Sequence, residues 1–252
     1  MNNSQTLSSP NRVPLVDTPF WIIKLMAVTM GETAADFLAV NLGFGLTTTS
    51  FLMFGILIVA LYFQFKQKVY VPWAYWLGIV LVSVVGTLIT DNLHDNFGIS
   101  LVPLTIGFTI ALSACFYLWY KSEGTLSIHE VKTDRREMYY WLAILLTFAL
   151  GTAAGDLVAE TFQLGFSTSV VFFAMIIGSL FIGYKFLNLD PILGFWLAYI
   201  FTRPLGASFG DLLSQPSEYG GMGFGTIATS IGFLVVIALT VFVMTKNQAR
   251  SN

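Results

Sequence analysis

Long apolar runs alternate with short polar connections along most of the chain. Runs of about 20 residues, enough to cross a hydrocarbon core about 30 Å thick, recur at 20–41, 45–65, 72–94, 100–120, 139–161, 166–186, 191–213 and 224–245. All eight are predicted to be helices, because a backbone in lipid has to satisfy its own hydrogen bonds. The longest polar connection, 121–138, carries Lys121, Glu123, Lys132, Asp134, Arg135, Arg136 and Glu137. It divides the chain into two four-helix halves, 20–120 and 139–245, with polar tails at 1–19 and 246–252. The predicted class is an all-α polytopic membrane protein with no soluble domain.

Composition agrees with that pattern. Of the 252 residues, 56% are hydrophobic and only 10% charged, against about 25% charged in a soluble domain. Mean hydropathy is +0.75. Cys115 is the single cysteine, so an intrachain disulfide is excluded, and its apolar surroundings make it a core residue.

The net charge of −2 matters less than where the charges fall. Arg12 and Lys24, Lys66 and Lys68, the four bases of the central connection, Lys185, and Lys246 and Arg250 all belong to one side, and the alternate connections carry no Lys or Arg. The positive-inside rule then puts both termini in the cytoplasm. Lys24 is expected to snorkel to the cytoplasmic edge, which leaves Arg203 as the base inside a span. Trp21, Trp73, Trp76, Trp119 and Trp141 read as an interfacial belt.

An internal repeat is visible in the odd-numbered spans, which end GETAAD, GTLITD, GTAAGD and GASFGD. Each is G-x4-D, pairing Gly31 with Asp36, Gly86 with Asp91, Gly151 with Asp156 and Gly206 with Asp211. One ungapped shift of 120 residues maps Gly31 onto Gly151, Gly86 onto Gly206, Trp76 onto Trp196 and Gly45 onto Gly165. Each unit is two spans, so the expectation is four parallel two-helix repeats about an axis along the membrane normal. Asp91 follows the start of its span by roughly 27 Å of helix, which puts the aspartates at an outer vestibule. The glycines sit where odd helices can approach closely.

Acids in or near a span are expensive and face partners or water. Asp36, Asp91, Asp156 and Asp211 therefore fit an oxygen-lined cation site; as the competing role, aspartate also caps helix starts well. Asp95 and Glu160 follow Asp91 and Asp156 by four residues, and His94 adjoins Asp95, so they extend the candidate metal set. Glu32 lies a turn deeper, belongs to the same candidate metal set as ligand or proton carrier, and has Thr87, Thr152 and Ala207 as its equivalents. Arg203, whose equivalents are Val28, Ser83 and Phe148, needs a buried partner. It would neutralise one aspartate or serve as a tethered cation. Carboxylate oxygens suit hard cations such as Mg, Ca or Mn.

The runs KLMAVTMGETAADFLAVNLGFGLT, YVPWAYWLGIVLVSVVGTLITDNLHDNFG, YWLAILLTFALGTAAGDLVAET and YIFTRPLGASFGDLLSQP cover much of the chain. They resemble a widespread bacterial group of uncharacterised membrane-anchored proteins. The resemblance implies a bacterial cytoplasmic (inner) membrane protein and assigns no substrate or site.

No nucleotide loop, H-E-x-x-H or G-x-S-x-G is present, and no enzymatic activity is expected. The expected function is cation transport, of a divalent metal first. The alternatives are a monovalent cation or proton channel, and a structural or accessory membrane protein whose aspartates cap and pack. The expected partners are the lipid bilayer and a small cation, with no nucleic acid. No covalent cofactor is expected beyond a bound metal cation, and a homo-oligomer is compatible with the sequence.

Overall fold

The computed structural model describes residues 11–251, apart from the side chains of residues 160 and 247–251. Eight long helices carry the fold: α1 (Thr18–Asp36), α2 (Leu46–Lys66), α3 (Pro72–Asp91), α4 (Leu101–Glu123), α5 (Asp134–Asp156), α6 (Gly165–Phe186), α7 (Pro191–Ser214) and α8 (Thr226–Ser251). Seven of them are long and apolar enough to cross a membrane. The remaining one, α1, has Lys24 and Glu32 within its length, and both are buried in the bundle.

Local chemistry starts the odd helices. Asp17 and Asp190 each accept a backbone N–H three residues on, at 2.9 Å, and Thr133 does the same for Arg136 at 3.2 Å. These N-caps satisfy donors that the first turn leaves open. Proline opens α1, α3 and α7, where its missing N–H costs nothing. Directly after their aspartates, α1, α3 and α5 widen into π-helical turns at Phe37–Asn41, Asn92–Asn96 and Leu157–Thr161. Those turns account for the length of the apolar runs 20–41, 72–94 and 139–161. By contrast, α7 ends without one and has Pro204 inside it.

The odd helices touch in the circle α1–α3–α5–α7–α1. Each even helix lies outside, on the odd helix of the next repeat: α2 on α3, α4 on α5, α6 on α7, and α8 on α1. Most of α3 and α5 is therefore buried, whereas α2, α4, α6 and α8 keep long exposed apolar faces. Glycine makes the inner circle tight. A methyl group on Gly31 would lie 1.9 Å from Ser83 Oγ, on Gly86 2.6 Å from Phe148 Cβ, on Gly151 2.1 Å from Arg203 Cγ, and on Gly206 2.3 Å from Val28 Cγ1. Each repeat glycine thus receives the side chain three residues before the glycine of the adjoining odd helix, all the way round.

The N-terminal ends of the odd helices meet in an aromatic floor. Tyr75 and Tyr140 share a 2.5 Å hydrogen bond. Phe20 packs on Trp76 at 5.7 Å between ring centroids, and Tyr140 on Trp196 at 6.3 Å. This corrects the expected interfacial belt: Trp76, Trp119 and Trp141 are buried inside the bundle, and of that set Trp73 is exposed. The first described residues close the same end. Asn11 and Arg12 bond Tyr70, Ile128 and Val131, and Arg12 reaches the buried Glu137 at 2.8 Å. Glu137 also accepts from Gln64 at 2.9 Å. Part of the expected tail is thus packed structure, and Cys115 is buried as expected.

Candidate functional site: a layered polar axis

Two layers of the inner circle hold the residues that break the repeat. Three residues before the glycines stand Val28, Ser83, Phe148 and Arg203; one residue after them stand Glu32, Thr87, Thr152 and Ala207. Ala207 leaves its corner of the upper layer without a polar group. Arg203, one turn back on the same helix, fills it.

Arg203 is fully buried, and its Nη2 lies 2.9 Å from Glu32 Oε2. The same nitrogen donates to Thr152 Oγ1 at 2.7 Å and to Thr87 Oγ1. Thr87 in turn donates to Glu32 Oε2 at 3.1 Å, and the guanidinium carbon stands 5.3 Å from the Phe148 ring centroid. All four inner helices therefore contribute to one charged knot. Arg203 was expected to neutralise one of the aspartates or to act as a tethered cation. Its carboxylate is Glu32, because ring closure sets the last repeat beside the first. Among the described residues, Arg203 Nε and Nη1 are buried without hydrogen-bond partners.

The aspartates stand beyond this knot. Asp36, Asp91 and Asp156 are the last α-helical residues before the π-turns, Asp211 lies near the end of α7, and all four are half-buried. Asp91 lies within electrostatic reach of Glu32, Asp156, Asp36 and Asp95. Gln215 Nε2 donates to Asp36 Oδ2 at 3.4 Å. Asp211 follows Gly210, which packs against Thr29 and Glu32 of α1. Neither Asp36 nor Asp91 caps its π-turn through the side chain.

The outlying members of the expected set stand elsewhere. His94 Nδ1 is 2.9 Å from the Ile99 carbonyl, and its Nε2 is 4.0 Å from Asp95 Oδ1, both side chains being substantially exposed. The side chain of Glu160 lies outside the described residues. Among the described residues, no three of the Asp, Glu, His and Cys side chains gather closely enough to hold a metal ion.

Lys24 does not snorkel. It is fully buried, donates to the Tyr199 carbonyl at 2.6 Å, and lies 3.9 Å from the Tyr199 ring centroid. The α1–α7 seam therefore contains a second buried base that the sequence reading set at the edge. Another signal was missed. Trp21, Trp76, Trp141 and Trp196 each precede a repeat glycine by ten residues, so the repeat is W-x9-G-x4-D and not only its last six positions.

A model of the family described as Repeat of Unknown Function (DUF347) matches residues 19–70, 74–125, 139–188 and 194–249. The chain belongs to that family. Each DUF347 match spans one odd helix and the even helix after it, so the family repeat is the two-helix unit read from the glycines and aspartates. No curated protein and no solved structure matches the chain.

Proposed function

We propose that this DUF347 chain transports small cations across a membrane, a divalent metal ion first, along the axis of the odd-helix ring. In this reading all eight helices span the bilayer. The first does so because its charges face the bundle interior, where they are paired or hydrogen-bonded. The four repeats share one orientation, both termini are cytoplasmic, and the setting is a bacterial inner membrane. Support for the shared orientation comes from contacts between like ends, Phe20 with Trp76 and Tyr140 with Trp196. Support for the sidedness comes from the Lys and Arg content of that end.

The observation that carries the reading is the Arg203–Glu32 pair, buried on the axis beneath four half-buried aspartates. An acidic vestibule raises the local cation concentration. A cation reaching Glu32 exchanges for Arg203, the tethered cation already there, so the closed state keeps its carboxylate compensated. Thr87 and Thr152 supply further oxygens at the same level, and hard cations suit such ligands. The aromatic floor closes the opposite end.

The test is flux into proteoliposomes, with thermal stability read in Mn, Mg, Ca, Zn, Na and K. One ion should stabilise the wild type and enter the vesicles. Changing Asp36, Asp91, Asp156 and Asp211 together to Asn should lower both effects at least tenfold, and Glu32→Gln should abolish flux. Transport of a monovalent ion alone would give the reading of a monovalent or proton path. A structural or accessory role, in which the aspartates only cap and pack, predicts altered stability with no ion flux in any variant. The uncapped π-turns after Asp36 and Asp91 weigh against that role.

A further inference from the structure

We propose that Lys24 is the proton-exchange group of this protein, so that the transported cation and the Lys24 proton exclude one another. This rests on the cation-transport reading above. Seven residues before the repeat glycines the inner layer reads Lys24, Ile79, Ile144 and Tyr199. Lys24 is fully buried, and its amine meets the Tyr199 carbonyl and ring; among the described residues no carboxylate lies within salt-bridge distance of it.

The groups facing Lys24 come from each element packed on α1. Helix α7 presents Tyr199 and Arg203, and Arg203 repels the amine. Helix α3 offers Tyr75 at the same end and Asp91 at the far end, and α8 carries no titratable side chain from 226 to 245. Along its own segment the nearest carboxylates in sequence are the N-cap Asp17, which accepts from the Phe20 N–H, and Glu32, already held by Arg203.

Among the described residues, the buried charged groups between the aromatic floor and the aspartates are thus two bases, Lys24 and Arg203, and one acid, Glu32. A buried charge without a counter-charge is costly, and the Lys24 ammonium is held by the Tyr199 carbonyl and ring. A cation added at Glu32 raises an existing positive excess, and losing one proton takes one charge off it. In the exchange step one N–H bond of the ammonium breaks, its electron pair stays on Nζ, and the proton passes to water. Reprotonation after the cation leaves restores the starting state. A purely structural Lys24, stapling α1 to α7, would contribute stability and no coupling.

The experiment uses the full chain in proteoliposomes, with Mn2+ as the probe, potential clamped, and dyes reading internal Mn2+ and pH. The expected result is uptake driven by a one-unit pH gradient, with roughly tenfold accumulation for one proton exchanged. In Lys24→Gln, or in Lys24→Met where the first variant fails to fold, the accumulation ratio should fall to about one. Calorimetry of Mn2+ binding in buffers of different ionisation enthalpy should show about one proton released per ion in the wild type. A gradient response equal to wild type in these variants, or wild-type flux indifferent to the gradient, overturns the Lys24 assignment and leaves transport standing. No flux of Mn2+, Mg2+, Ca2+, Na+ or K+ in the wild type overturns the transport reading, and this inference with it.

Discussion

At the residue scale the axis depends on a few departures from fourfold equivalence. Glu32, Thr87 and Thr152 form three corners of a polar layer, and Arg203 reaches into the fourth from one turn away. Removing one partner strands a buried charge, so Glu32→Met or Arg203→Met should each cost roughly 3–5 kcal/mol. Changing both to Met should cost clearly less than the sum of the single changes. A double-mutant cycle of thermal stability checks this, and simple additivity would show that the two side chains are not coupled. The repeat glycines give a second expectation. A methyl group at Gly151 would overlap Arg203, whereas at Gly178 it would meet nothing within 4 Å. Gly151→Ala should therefore cost about 1–3 kcal/mol through overpacking, and Gly178→Ala should be close to neutral in the same thermal assay.

At the scale of elements, the π-turn after Asp91 ties the end of α3 to the start of α2, the even helix that packs on it. Asn92 shows how. Its amide donates to Ser50 Oγ and to the Leu88 carbonyl, each at 2.7 Å, and its oxygen accepts from Asn96 at 2.8 Å and Thr47 at 3.3 Å. Both ends of the side chain are thus occupied where α2 begins against α3. Thr47 and Ser50, in the serine and threonine run opening α2, do that joining. Asn92→Leu should cost about 1–3 kcal/mol by leaving these partners unmet. It should also raise hydrogen exchange in the π-turn and the first turn of α2. Protection equal to wild type there would show that the amide network does not hold the junction.

At the scale of the whole molecule, the circle is interlocked. The helices of one repeat are neighbours in sequence, yet each even helix covers the odd helix of the next repeat, and α8 returns to cover α1. In lipid, apolar surface alone does not drive helices together; close packing and polar contacts do. A half-chain ending within residues 124–133 would lack the cover that α8 gives α1 and would strand Glu32 without Arg203. Each half expressed alone should therefore run as aggregate in detergent size exclusion, and the two expressed together should recover a monodisperse species. Monodisperse half-chains would mean that the cyclic packing is dispensable.

Much of this was legible in the chain alone. Hydropathy reports the number and place of long apolar helices, because the penalty for polar backbone and side chains in lipid is paid residue by residue. The repeat, the close approach at its glycines and the need of Arg203 for a buried partner follow from side-chain size and charge, which are also local. Which apolar residue faces lipid and which faces protein is not encoded that way, since both surroundings are apolar. Trp76, Trp119, Trp141 and Lys24 were therefore assigned to the membrane edge and lie inside. Only the closed ring, which sets α7 beside α1, decided that Glu32 is the partner of Arg203 and that Lys24 meets Tyr199, because both contacts join residues more than 170 positions apart.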